Sequence, residues 1–158
     1  MKRILIVLIG VLSYSTISAQ KYTDQYIKDA NKTALNWLSD INHNNYEDAY
    51  ILLAEECKIK YEKSGWILYI TQLMKKFGSL ESRLVIDKYF QSEIEEGEDG
   101  FYVFIKYDAE YLNKKNLTET IILKQNYKLN WEIYDYRCVF LSGYGEIEPG
   151  LEIDTLIE

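Results

Sequence analysis

Three aspartates fall in segments that alternate like strands: Asp87, Asp108 and Asp135. A carboxylate buried beside tyrosines has a raised pKa and can act as a general base. Asp108 alternates away from the apolar set Phe101, Val103, Ile105, Tyr107, Ala109 and Tyr111, so it should face solvent. Asp135 shares a face with Trp131 and Ile133 and is the better candidate. Tyr134 and Tyr136 beside it, with Tyr107 on an earlier strand, complete a set of ligand-binding candidates. An edge or surface aspartate is the simpler reading of Asp135 and the preferred one, so no residue is assigned a catalytic role.

Other chemistry is thinly represented. The chain has no glycine-rich phosphate loop, no H-E-x-x-H, no G-x-S-x-G and no paired C-x-x-C. Its only histidine, His43, sits in a polar loop without evident partners. The run Glu93, Glu95, Glu96, Glu98, Asp99 lacks the alternating oxygen ligands of a calcium loop and reads as a solvated turn. No metal and no cofactor is expected. Fifteen tyrosines suggest a tyrosine-lined pocket or a sugar-binding surface, but half-buried strands account for them more simply.

The chain opens on Lys2 and Arg3, then a short apolar run from Ile4 to Leu12, then a polar stretch ending at Ala19. Basic start, apolar run and small residue before the cut are the parts of a secretory signal. The run is well short of the ~20 apolar residues of a spanning helix. The expectation is a signal peptide over residues 1–19 and a mature chain exported to the periplasm or medium, with no membrane attachment after cleavage. The formal charge is −7, and the leader removes two cations and no carboxylate, so the mature chain is more acidic still. Phosphate backbones and anionic membranes repel such a protein, which excludes nucleic acid as a partner. What remains is a protein partner or a small ligand.

The candidate residues must be positioned by a short list of elements. Ile27, Ala30, Ala34, Trp37, Leu38 and Ile41 make one stripe of a helix from about Asp24 to Ile41. After the break at residues 42–45, Tyr46, Ala49, Tyr50, Leu53 and Cys57 form the stripe of a second helix, capped by Asn44 or Asn45. Ser64 caps a third, which buries Trp66, Ile67, Ile70, Leu73, Met74 and Phe77 and stops at Gly78. The period then becomes two, giving strands over residues 82–94, 101–111, 118–127 and 131–140. The fold class is α+β: three N-terminal helices packed on a four-stranded antiparallel sheet, a single domain over residues 20–140. Residues 141–158 form an acidic tail without periodicity, read as disordered.

The segment Thr33-Ala34-Leu35-Asn36-Trp37-Leu38, the Tyr46…Ala49-Tyr50 spacing, Trp66, Phe77-Gly78 and Arg83 form an ordered pattern. Gly100-Phe101-Tyr102-Val103, Ile105-Lys106-Tyr107, Thr118-Glu119-Thr120 and residues 131–136 continue it. That order resembles the bacterial domain-of-unknown-function family 4019 across roughly residues 30–140. The resemblance implies the cone-shaped fold of nuclear transport factor 2-like proteins. It implies no reaction and no ligand, and Asp135 stands where the pattern has a small residue. Enzymes on such a cone, ketosteroid isomerases among them, use an Asp or His with a Tyr inside it. The leading expectation is a non-catalytic domain that binds a protein or small ligand through the sheet or its cone. The alternative is a small enzyme of ketosteroid-isomerase type using Asp135 and a tyrosine. Large aromatics on helices and sheet should largely fill the cone. An open pocket with Asp135 and a tyrosine hydroxyl at its wall would instead favour the enzyme.

Two cysteines in an exported chain permit a disulfide. Cys57 lies on a helix stripe and Cys138 on the last strand, in layers about 8–10 Å apart. A disulfide needs Cα atoms within about 7 Å, so two separate buried thiols are expected.

Overall fold

A computed structural model describes residues 2–94, 99–141 and 147–148, with side chains for residues 21–94 and 99–139. The elements are helix α1 (Lys2–Asn42), α2 (Tyr46–Ile51), α3 (Glu55–Lys60) and α4 (Lys63–Phe77). They are followed by strands β1 (Leu80–Gln91), β2 (Tyr102–Tyr111), β3 (Leu117–Gln125), β4 (Trp131–Leu141) and the two-residue β5 (Ile147–Glu148). The fold is α+β, as the switch of period requires. All neighbouring strands are antiparallel and the sheet order follows the chain.

Helix α1 runs unbroken through residues 19 and 20, and it ends where the asparagine-rich segment begins. Ala30, Ala34, Trp37, Leu38 and Ile41 are all buried, as their spacing requires. Asn44 then adopts a left-handed backbone, φ 62°, which asparagine tolerates better than most residues. Asn45 precedes α2 but its side chain caps nothing; Asn44 Oδ1 instead accepts from the Tyr46 hydroxyl at 2.6 Å.

Among the described residues four helices stand where three are expected. The stripe from Tyr46 to Cys57 is interrupted because Leu53 pairs with β4. The Ala54 N–H donates to the Ile133 carbonyl, and the Ile133 N–H to the Leu52 carbonyl, each at 2.8 Å. A helix spends its backbone groups internally, so α2 ends with Leu52 still helical and the chain opens after it, Ala54 being extended. The result covers part of an otherwise open sheet edge. Helix α4 buries Trp66, Ile70, Leu73, Met74 and Phe77. Its N-terminus begins one residue before Ser64, whose hydroxyl donates to Glu62 at 3.1 Å instead of capping the backbone. Its end matches expectation: Lys75 and Lys76 occupy the last turn, and Gly78 has φ 79°. A Cβ there would stand 2.9 Å from the Asn113 amide, so the position demands glycine.

On β2 the alternation holds closely: Val103, Ile105, Tyr107, Ala109 and Tyr111 are at most 2% exposed and meet the helices. Phe101 is far less buried than these. It lies before the strand, 42% exposed, in a rim cluster with Tyr26 and Phe90. Strand β1 lies at the sheet edge, with Leu84, Val85 and Ile86 exposed at a bulge. Within the tail read as disordered, Leu141 and residues 147–148 pair as strand; the remaining tail positions lie outside the described residues. So do residues 95–98 of the acidic run.

Candidate functional site

The register between β3 and β4 shifts by one residue: Ile122 faces Asp135, whereas Leu123 faces Ile133. Tyr134 is the extra residue of a β-bulge. A one-residue insertion exchanges the two faces beyond it. Ile133 and Tyr136 therefore both point to the core, 1% and 3% exposed, although they are three residues apart. Asp135 does not share the face of Trp131 and Ile133, which corrects the expectation from simple alternation. It sits with Arg137, whose Nε donates to Asp135 Oδ2 at 2.5 Å. The other oxygen accepts the Tyr136 backbone N–H at 2.8 Å. Both carboxylate oxygens are thus engaged.

The bulge gathers its own surroundings. The Tyr134 ring packs edge-on against Tyr102, centroids 5.5 Å apart. The Lys124 ammonium lies 5.7 Å from the Tyr134 ring and 5.9 Å from the Tyr102 ring, and it pairs with Glu56 of α3. Cys57 of α3 donates its S–H to the Tyr134 carbonyl at 2.8 Å. Burial, and after it the Asp135 charge, pushes the Cys57 thiol up to about 12. Burial likewise raises Cys138. Both cysteines are free, as their layers imply. With the thiol raised in this way, an aromatic disulfide reagent should react slowly with the native protein at pH 8. In denaturant two equivalents should react at once; none would contradict the free thiols.

A second arrangement lies deeper, and the sequence reading did not select it. Glu119 is fully buried on the core face of β3. Arg83 of β1 donates to it from Nε at 2.5 Å and from Nη2 at 3.1 Å. The hydroxyls of Tyr111 and Tyr136 donate to Glu119 Oε1 at 2.7 and 2.5 Å. Arg83 Nη2 also reaches the Tyr111 hydroxyl at 2.6 Å. Burial works against the Arg83 charge, but Glu119 beside it prevails and the pKa is raised. Burial, reinforced by the same carboxylate, raises both tyrosines, which act as donors here and not as acids. The signal was available. Glu119 alternates with Leu117, Ile121 and Leu123, so it is the one charge in a buried stripe. Tyr107, opposite Glu119 across β2, is also in the core, and its hydroxyl has no partner among the described residues.

Between α3 and the bulged strand opens a cleft of about 730 Å³. Trp37, Trp66, Ile70 and Tyr136 line its helix side. Phe104, Ile122, Asp135 and Arg137 line its outer side, and Cys57 and Lys60 of α3, with Tyr61 just after it, close it. The expected filling of the interior by aromatics is therefore incomplete at this edge. Of the sequence candidates, Tyr134, Asp135 and Tyr136 reach the cleft wall and Tyr107 does not. His43 is exposed, its Nδ1 against the Ser39 carbonyl, and Asp108 faces solvent. Among the described residues no three His, Cys, Asp or Glu side chains gather as a metal site.

Each Asp135 oxygen accepts one hydrogen bond and keeps a second lone pair. Its ion pair is also shared with a half-exposed arginine, and such pairs contribute about 0–1 kcal/mol. Asp135→Asn keeps an oxygen to accept the Tyr136 N–H. The substitution should cost under about 1 kcal/mol in urea unfolding. A loss several times larger would mean that the carboxylate holds the bulge.

A family model described as a protein of unknown function (DUF4019) matches residues 33–136. No curated protein and no solved structure matches the chain.

Proposed function

We propose that this chain, which belongs to the DUF4019 family of proteins of unknown function, is an exported, non-catalytic domain that binds a small ligand in the cleft at the β4 bulge. One observation carries the reading: a cleft of about 730 Å³ lined by both aromatic and polar side chains, within the usual size range of small-molecule sites. Two of its carboxylates are held in ion pairs, Asp135 with Arg137 and Glu56 with Lys124. The order of helices then antiparallel strands supports a nuclear transport factor 2-like cone. Export is supported by the basic, apolar and polar order of residues 1–19.

The enzyme reading has an observation of its own, since Asp135 and two tyrosines do reach the wall of an open cleft. Against it stand the ion pair that Asp135 makes with Arg137 and the Tyr136 hydroxyl, which is committed to Glu119. A thermal-shift screen of the mature protein against a small-molecule library separates the two. A binder at a hundred times its Kd stabilises the fold by about 2.7 kcal/mol and should be recovered chemically unchanged. A change in its mass that disappears in Asp135→Asn would overturn the non-catalytic reading and establish the enzyme.

A further inference from the structure

We infer that the ligand of this cleft is a neutral saccharide of two or three sugar rings; the inference rests on the cleft reading above and names its chemical class. Charge is the first ground. Asp135 is paired with Arg137, and Glu56 with Lys124. The Lys60 ammonium lies 5.2 Å from the centre of the Tyr61 ring. An anionic ligand must break one of these arrangements to find a counter-charge, whereas a neutral one leaves them intact. The strongly acidic chain disfavours an anion further.

Polarity is the second ground. A purely apolar ligand would strip water from Asp135, Arg137, Glu56 and Gln91 and return no hydrogen bond, which is costly. A polyol returns one for each water displaced. Its hydroxyls donate to the carboxylates and accept from the guanidinium and amide groups. These planar side chains, three of them already fixed by ion pairs, suit adjacent hydroxyls on a ring.

The third ground is the set of aromatic rings. Phe104 and Tyr134 both line the cleft. Phe104 is stacked on Tyr89 at 4.8 Å with 5° between the planes, and Tyr134 is wedged against Tyr102. Each ring is held by a neighbour, so little freedom is lost when a ligand packs against it. The C–H face of a pyranose is apolar, while its rim is polar. Such a ligand matches a wall that alternates aromatic and hydrogen-bonding groups, and the volume accommodates two or three rings.

The test is an amide-resolved NMR titration of the mature protein. Its probes are neutral di- and trisaccharides of glucose, galactose, mannose and N-acetylglucosamine. Benzenesulfonate, benzyltrimethylammonium and octanol serve as anionic, cationic and apolar comparators. At least one saccharide should shift Gln91, Phe104, Tyr134 and Arg137 together. Arg137→Ala and Phe104→Ala, each checked for a native spectrum, should each weaken it about tenfold. Shifts at the cleft from a comparator alone would overturn the saccharide class and leave the cleft reading standing. No shift at the cleft from any probe would overturn both.

Discussion

Glu119→Ala should be the most damaging single substitution in this protein, costing about 3–5 kcal/mol of a total that is typically 5–15. The reason is what the change leaves behind. Arg83, with 9% of its side chain exposed, would keep a charge with no carboxylate to meet it. The hydroxyls of Tyr111 and Tyr136 would lose their acceptor in the same step. Denaturation in urea at constant slope measures the loss. The double substitution Arg83→Met with Glu119→Leu should recover most of it, because a buried pair stabilises far less than a broken one destabilises. A cost under 1 kcal/mol for Glu119→Ala would show that water reaches Arg83 and that the network is not a buried one.

Trp66→Ala should follow closely, at roughly 3–5 kcal/mol. Trp66 is 3% exposed, packs on Tyr50 with ring centroids 5.6 Å apart, and carries the first turn of the α4 stripe. Truncation removes transfer free energy and leaves a void that opens into the cleft, where water can enter. The same urea experiment reads this cost. A loss near 1 kcal/mol would mean that α3 and the bulged strand close over the space.

These two residues differ in how legible they were. Trp66 stands in a helical stripe and its burial follows from spacing alone. The face of β2 from Val103 to Tyr111 is equally plain, because its alternation is unbroken. Glu119 was as readable in principle, being a charge at an apolar position of an alternating run. Its meaning depends on Arg83 from a distant strand. The break between α2 and α3 was not readable. Tyr46 to Cys57 carries a continuous helical pattern, and only the pairing of residues 52–54 with Ile133 overrides it. The bulge at Tyr134 was hidden for a similar reason. Residues on both sides of it mix aromatic and charged types, so a one-residue shift leaves no mark in the pattern. That shift decides the candidate site, because it moves Asp135 from the core face to the cleft and puts Tyr136 in the core.

The central claim is that the cleft beside this bulge is where the domain binds. Chemical-shift mapping of the mature, isotope-labelled protein with a binder from the thermal-shift screen tests it most directly. The account predicts shifts that cluster at Cys57, Lys60, Tyr134, Asp135 and Arg137, from α3 across the bulged strand. Shifts confined to the exposed Leu84, Val85 and Ile86 of the β1 edge would contradict it and move the binding surface to the other side of the sheet.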